Sequence, residues 1–300
     1  MDLLADIIAH TRVSGALTTH LKRSGAWGVA YPACNVVGVH IMTGGQAWLH
    51  AQAFDQPVLL ESGDVVLVSR QVEHQITSGP ERGACVPWDR ALEAPAPALV
   101  QTSYLCGAYC FDEQAHQPVF DALPAIVKLS PPDDVYVDPI DATVRLLVAE
   151  VDQPGAGSRT LCERLLDALL VYALRQWVGQ QGACGATWLA ALEDPQLGPV
   201  LHGMHTAPQS ALELAGWARR AGMSRASFSR RFRQVVGAPP MAYLKDVRLS
   251  RAGALLRQSP HDLESIASQV GYASGFSLSR AFKRKYGVAP GHYRARHQST

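Results

Sequence analysis

No stretch of this 300-residue chain reaches the roughly 18 consecutive apolar residues of a membrane-spanning helix, so no span is expected. The start, Met1-Asp2-Leu3-Leu4-Ala5-Asp6, carries acids where a secretory leader needs a basic lead and a longer apolar run. The chain is therefore read as cytoplasmic. Cysteines stand at 34, 85, 106, 110, 162 and 184, without CxxC spacing, which excludes a zinc-finger or disulfide framework. An excess of one charge is missing too: 27 basic side chains oppose 26 acidic ones, a sum that taken at face value speaks against a nucleic-acid partner. With 47% hydrophobic and 18% charged residues the chain is not disordered, and its length suffices for one large domain or two to three smaller ones.

The near-zero sum hides a polarised chain. From His205 to Thr300 there are 16 Lys and Arg against 4 acids, a charge of +12; the first 204 residues hold 11 basic and 22 acidic side chains, a charge of −11. A +12 segment of under a hundred residues is the footprint of a polyanion binder, although a solvated basic face without a partner has the same composition.

The first third reads as short strands: Trp27 to Tyr31, Val36 to Met42, Ala47 to His50, Pro57 to Leu60, Asp64 to Ser69 and His74 to Ser78. Pro32, Gly44-Gly45 and Ser62-Gly63 punctuate them, as in a sandwich or barrel. Gln101 to Phe111 is a further strand, whereas Val86 to Pro97 has no periodicity and reads as a loop. From about residue 138 the period becomes helical: Ile140, Val144, Leu147 and Val151 form one helix, stopped by Asp152-Gln-Pro-Gly-Ala-Gly157. Thr160-Leu-Cys-Glu163 fits a capping box opening a second helix. Leu161, Leu165, Leu166, Leu169, Leu170, Leu174 and Trp177 make that helix apolar over more than a narrow stripe, so it is either buried in its own domain or a dimerisation helix. Gly179 to Thr187 separates it from the C-terminal part of the chain. The expected architecture is α+β and multidomain: a sheet-rich sensor over 1–135, a helical connector or dimerisation segment over 136–204, and an all-α domain over 205–300.

The last ninety residues contain a repeat at an offset of about 50. Ala218-Arg-Arg-Ala-Gly222-Met-Ser224-Arg-Ala-Ser-Phe228-Ser-Arg230-Arg-Phe232 is matched by Ala267-Ser-Gln-Val-Gly271-Tyr-Ala-Ser274-Gly-Phe-Ser-Leu278-Ser-Arg280-Ala-Phe282, and Gly237, Pro240 and Tyr243 by Gly287, Pro290 and Tyr293. Each copy has the parts of a helix-turn-helix. A short helix ends at Gly222 or Gly271, the residue best able to turn left-handed, and Ser224 or Ser274 caps the next helix. Phe228 with Phe232, and Leu278 with Phe282, are four apart for packing. The other face stays polar: Arg225, Ser229, Arg230 and Arg233 in the first copy, Ser277, Arg280, Lys283 and Arg284 in the second. Between them Met241 to Ser259 reads as a helix about 28 Å long, close to the roughly 34 Å between successive major grooves on one side of DNA. Two such motifs in register point to duplex DNA.

The stretch Ala218 to Tyr293, with Tyr243-Leu-Lys-Asp-Val-Arg248 and Val270-Gly-Tyr-Ala-Ser274, resembles the DNA-binding domain of AraC-family bacterial transcription regulators. That resemblance implies base contacts from Ala226, Ser229 and Arg230 in the first motif and from Phe276, Ser277 and Arg280 in the second. It places Arg225, Ser227, Arg233, Lys283 and Arg284 nearer phosphates. Ala226 and Phe276 cannot hydrogen-bond a base edge and offer only apolar contact, for example with a thymine methyl; Arg230 and Arg280 suit guanine.

Upstream, Gly63-Asp64-Val-Val-Leu-Val-Ser69-Arg-Gln71-Val-Glu-His74 has the spacing of a cupin motif, with Ser69 and Gln71 in place of the usual Pro and Gly. Gly38-Val39-His40 resembles a reduced first motif, without the His-x-His pair and the following Glu. The whole chain is thus similar to AraC-family regulators with an N-terminal cupin-like barrel as sensor, the nearest subgroup being activators that respond to reactive chlorine species. The resemblance implies a small-molecule or oxidant effector, a homodimer, RNA polymerase as a partner, and no enzymatic activity. His40 and His74 are either hydrogen-bonded interior histidines or ligands of a divalent metal such as zinc. Cys106 and Cys110, on one strand face about 13 Å apart, cannot pair with each other. Cys106 in Leu-Cys-Gly matches the redox cysteine of the chlorine-responsive relatives, but their partner cysteine is replaced by His20-Leu21-Lys22, so the thiols are either redox-active or inert. The rival from another class is a cupin metalloenzyme, a small-molecule dioxygenase with a DNA-binding tail.

Overall fold

The computed structural model describes residues 12–14, 18–93, 96–111, 123–131, 138–181, 188 and 190–298. Met1 to Asp6, Cys184 and most of the Gly179 to Thr187 separator lie outside them. Two compact units result, one of Val13–Phe111 with Leu123–Gln180 and the other taking in Gln181–Thr300.

The first unit is built on two sheets. One has the order β1-β10-β4-β7-β11, with β2 also paired to β10: β1 (Arg12–Ser14), β2 (Thr18–Arg23), β4 (Val36–Gly44), β7 (Val65–Val68), β10 (Thr102–Phe111) and β11 (Ile126–Leu129). The other runs β6-β5-β8-β3-β9: β3 (Gly28–Tyr31), β5 (Gln46–Ala51), β6 (Val58–Glu61), β8 (His74–Thr77) and β9 (Val86–Pro87). The side chains of Val29, Leu49, Leu60 and Ile76 from one sheet and Met42, Val66, Val68 and Tyr104 from the other fill a shared core. The far face of the first sheet is buried as well. Val37, Val39, Ile41 and Leu105 are at most 1% exposed. Tyr109 donates its hydroxyl to the carbonyl of Leu166 on α3 (Ser158–Gln181) at 2.7 Å. A strand covered on both faces needs no polar alternation, which is why Val65–Val68 reads as an unbroken apolar run.

Seven strands stand within a residue or two of their expected positions. β1 and β2 carry too little apolar signal to be read in advance, and β11, the run Ile126-Val-Lys-Leu129, is too short to set a period of its own. The supposed loop from Val86 holds a short strand, β9, running into the helix α1 (Trp88–Glu93), whose Ala91 is buried. The chain's one described non-glycine residue with positive φ is Gln71 (φ 62°), at the place where the cupin pattern has glycine. Its amide donates to the Cys34 carbonyl at 2.8 Å, which holds the turn despite the missing glycine.

Helix α2 (Pro139–Asp152) follows the expected spacing and is capped by Asp138, whose carboxylate accepts from the Ile140 amide. Its C-terminal Asp152 pairs with His20 (2.8 Å) and Lys22 (2.7 Å) of β2, which fastens the helix to the sheet edge. Helix α3 begins at Ser158, two residues before the expected Thr160 cap. Ser158 Oγ accepts from the Gly155 amide at 2.6 Å and donates to Glu150 at 2.6 Å, so the cap is tied to α2 and Thr160 is already helical. Leu166, Leu169, Leu170, Ala173, Leu174 and Trp177 of α3 are buried, whereas Leu161 is 48% exposed.

The second unit is helical: α4 (Ala190–Glu193), α5 (Gly198–Thr206), α6 (Leu214–Arg220), α7 (Arg225–Val236), α8 (Pro240–Gln258), α9 (Leu263–Val270), α10 (Gly275–Tyr286) and α11 (Pro290–Gln298). The duplicated sequence becomes duplicated structure. Helices α7 and α10 are each 12 residues long, capped by serine and closed by a left-handed glycine, Gly237 (φ 82°) and Gly287 (φ 71°). Proline opens the next helix in each copy.

Candidate functional site

The second helix of each motif is held from behind by its aromatic side. Phe228 and Phe232 meet edge to face at 5.4 Å, and Phe232 meets Tyr243 at 5.6 Å. In the second copy Phe282 stacks on Tyr286 at 4.2 Å and meets Tyr293 at 5.2 Å. All six rings are buried, and the Tyr243 hydroxyl is fixed by Trp188 Nε1, donating at 2.9 Å, and by His205 Nε2 at 2.7 Å. The two tyrosines of the repeat are therefore core residues.

With one side anchored, the opposite side faces solvent. Arg225, Ala226 and Arg230 are exposed on α7, as are Phe276 and Arg280 on α10, with Ser227, Ser229 and Ser277 half-buried beside them. Arg233, Lys283 and Arg284 are exposed along the same helices. Among the described residues none of these cations is engaged in an ion pair. Arg231, a near neighbour on α7, behaves differently: it is bound to Asp194 at 2.6 Å and to Gln196, so it fastens the segment after α4 to the motif. Sequence reasoning passed over Arg231, because a contact 37 positions away leaves no local pattern.

The turns differ in how strictly they need glycine. Gly222 (φ 65°) has open space around it, whereas a Cβ on Gly271 (φ 81°) would lie 2.7 Å from the Gln209 Cα. Beside Gly271, Arg248 donates to the carbonyls of Pro208 (2.7 Å) and Ser210 (3.0 Å), which ties α8 to the segment before α6. In α10 the cap is reciprocal: Ser274 Oγ accepts from the Ser277 amide, and Ser277 Oγ receives the Ser274 amide, both at 3.2 Å. Phe276 is 73% exposed and carries the Arg280 guanidinium 5.9 Å above its ring. These two residues and Lys245, Lys283 and Arg284 line a groove of about 770 Å³ between α8 and α10. Lys245 is a basic group that the repeat pattern did not single out, since it sits on the connecting helix.

A second site lies inside the sheet-rich unit. His40 on β4 and His74 on β8 meet there, Nε2 to Nε2, at 2.8 Å, and both are buried. Tyr31 stacks flat on His74 at 4.8 Å and shares a 3.0 Å hydroxyl contact with Tyr104. Burial holds the His40 imidazole well below its usual pKa and brings His74 down to about 4, so both are neutral at neutral pH. One ring donates and the other accepts, which occupies the nitrogens that zinc would take. Zinc needs three or four ligands, and among the described residues no group of three or more His, Cys, Asp or Glu is arranged to hold a metal. The pair does not fit a divalent ion.

Cys106 and Cys110 line the same cavity as the histidines and face His40 and Val36 across the β10–β4 ladder. Burial pushes the Cys106 thiol up to about 12, which keeps it protonated, the opposite of a reactive thiolate. On its other side Cys106 pairs with Thr19 of β2, so no thiol stands across from it on that strand.

A family model described as a cupin matches residues 2–179, and one described as a helix-turn-helix domain matches residues 217–296. A putative AraC-like transcription regulator of Streptomyces lividans is 30% identical over 98% of both chains. The RCS-specific HTH-type transcriptional activator RclR of Escherichia coli (strain K12) is 27% identical over 99% of this chain and 98% of its own. The crystal structure of the DNA-binding domain of AdpA in complex with a target DNA shares 31% identity over 35% of this chain and 95% of that one, with a TM-score of 0.34. Fold, duplicated motif and relatives together define a DNA-binding transcription regulator with an N-terminal cupin domain. The chain belongs to the AraC-like transcription regulators.

Proposed function

We propose that this regulator reads its operator through Ala226, Ser229 and Arg230 of α7 and through Phe276, Ser277 and Arg280 of α10. Arg225, Ser227, Arg233, Lys283 and Arg284 hold the flanking phosphates. The observation that carries this reading is the pair of serine-capped helices, equal in length, whose outward cations have no ion-pair partner among the described residues. Helix N-termini and arginines suit base edges and phosphates, and bidentate contact with guanine is the strongest such readout.

The division of labour is a sensor over 1–135, a connector and dimerisation segment over 136–204 and a DNA-binding domain over 205–300. The sensor answers a small molecule or oxidant, and the chain acts without catalytic turnover as a cytoplasmic homodimeric activator that engages RNA polymerase. Relatives named as transcription regulators and activators along nearly their whole length support this. Among the described residues no helix is long and apolar enough to cross a membrane. The dioxygenase alternative lacks support, because the two histidines bond to each other and no group of three or more His, Cys, Asp or Glu is arranged to hold a metal among the described residues.

Selection of duplexes from a randomised pool by the full chain, repeated with Arg230→Ala and Arg280→Ala, tests the readout. Each variant is expected to lose preference for one guanine, at a cost of about 1–3 kcal/mol. Recovery of the parental sequence by both variants overturns the assignment.

A further inference from the structure

The groove between α8 and α10 holds more positive charge than the repeat accounts for. It measures about 770 Å³, and five cations line it: Arg280, Lys283 and Arg284 from α10, Lys245 and Arg248 from α8. Among the described residues no Asp or Glu contributes to its wall. Arg248 is engaged by the carbonyls of Pro208 and Ser210, so it belongs to the frame of the fold. Lys245 is exposed and has neither a hydrogen bond nor an ion pair among the described residues. Its neighbour Asp246 does not answer it, since that carboxylate is held by Lys285 at 2.8 Å. Tyr272, half-buried in the turn before α10, lines the same groove, and its hydroxyl is likewise unpartnered among the described residues. Burial raises the pKa of that hydroxyl, which keeps it a donor.

The side of α10 assigned to bases borders this groove too, through Phe276, Ser277 and Arg280. A helix about 10–12 Å across nearly fills a major groove about 12 Å wide, so the phosphates at its edges run along the flanks of the helix. On one flank of α10 stands α8. We propose that a backbone phosphate of the half-site read by Arg280 sits between α8 and α10, bound by Lys245 and by the Tyr272 hydroxyl. The connecting helix is then part of the DNA interface and more than a spacer. The proposal rests on the reading of α10 as a recognition helix, and it adds a contact that fixes the register and orientation of that helix on the duplex. The contact is one-sided, because α5, the helix that precedes the first motif, holds no Lys or Arg.

The test uses the full chain and a selected duplex, with affinity followed over a range of salt. Lys245→Ala is expected to weaken binding several-fold and to lower the slope of log affinity against log salt by about 1, with the selected sequence unchanged. Lys245→Arg should keep the parental slope. Tyr272→Phe removes an uncharged donor, so affinity should fall several-fold at an unaltered slope. Single methylphosphonates, each neutralising one phosphate, are then placed through both half-sites. The parent should weaken several-fold at a position in the half-site read by Arg280 where Lys245→Ala is indifferent. An unchanged slope in Lys245→Ala, or a variant as sensitive as the parent at every position, overturns the proposal. Undiminished affinity of Tyr272→Phe overturns the part given to the hydroxyl. Binding of pyrophosphate by the DNA-free chain, abolished in Lys245→Ala while the salt slope stays parental, overturns it in favour of a free anion. If Arg280→Ala recovers the parental sequence while Lys245→Ala still loses slope, the base reading fails and the phosphate contact stands.

Discussion

Arg280 and Phe276 stand one turn apart on α10, with the guanidinium over the ring. A cation–π contact of this kind restrains a side chain that otherwise samples many rotamers, and it brings an apolar face next to the group proposed to read guanine. The first motif has Ala226 in place of Phe276, so the two half-sites are expected to differ. In a selected duplex, replacing single thymines by deoxyuridine should weaken the parent several-fold at one position, where Phe276 covers the methyl group. The same replacement should leave Phe276→Ala unaffected; a parent indifferent to every thymine methyl contradicts the contact. His74 has a different signature. Its pKa falls from 6.5 to about 4 on folding, so between those values the unfolded chain holds a proton that the folded chain does not. Stability therefore declines as pH drops through that window, by on the order of 3 kcal/mol when complete. Chemical denaturation of the protein and of His74→Phe at pH 7 and pH 5 checks this: the parent should lose more than the variant. Parallel loss in both discounts the buried imidazole as the cause.

At the level of elements, the recognition helices were legible because their signals are local. Ser274, Phe282 and Gly287 each act within a turn of their own position, as Ser224, Phe232 and Gly237 do. Removing the Ser274 cap by Ser274→Ala is expected to cost about 1 kcal/mol, read as a lower denaturation midpoint. Gly271→Ala should cost more, because it combines a left-handed φ with a Cβ 2.7 Å from Gln209 Cα. Gly222→Ala lacks that clash, and a cost equal to that of Gly271→Ala would refute the packing argument. Where elements depend on distant partners, local reading failed. β2 and β11 are ordered by ladders to β10 and β7, and α3 begins at Ser158 because that hydroxyl is shared with Glu150 of α2. The helix α1 escaped notice because the run from Val86 to Pro97 has no apolar period, and only the burial of Ala91 against the barrel core makes it one.

For the whole molecule, charge is the governing feature. The segment from His205 onward carries +12 and the rest −11, and the positive part is the helix-turn-helix unit that binds duplex DNA. Binding should therefore weaken steeply as salt rises, by release of counterions from the phosphates. Replacing Arg225 and Arg284 together by Ala is expected to lower the slope of log affinity against log salt by about 2, leaving the selected sequence unchanged. A changed sequence preference would move those residues from phosphate to base contact. Leu146 and Leu161 of α2 and α3 are the large apolar side chains most exposed on the first unit's helices, at 57% and 48%.

The chain's sequence alone determined the helix-turn-helix pair, because a glycine turn, a serine cap and aromatics four apart are each complete within one helical turn, and two copies in register leave little to chance. It also determined where β3 to β8 lie along the chain, where alternation and glycine punctuation are local. The interior was decided only by the tertiary structure. His40 and His74 are 34 positions apart, and whether two imidazoles bond to each other or to a metal depends on which other ligands the sheets bring within reach. Folding brought valines, thiols and an unanswered nitrogen instead, since strands from two sheets close over that space with their apolar sides inward.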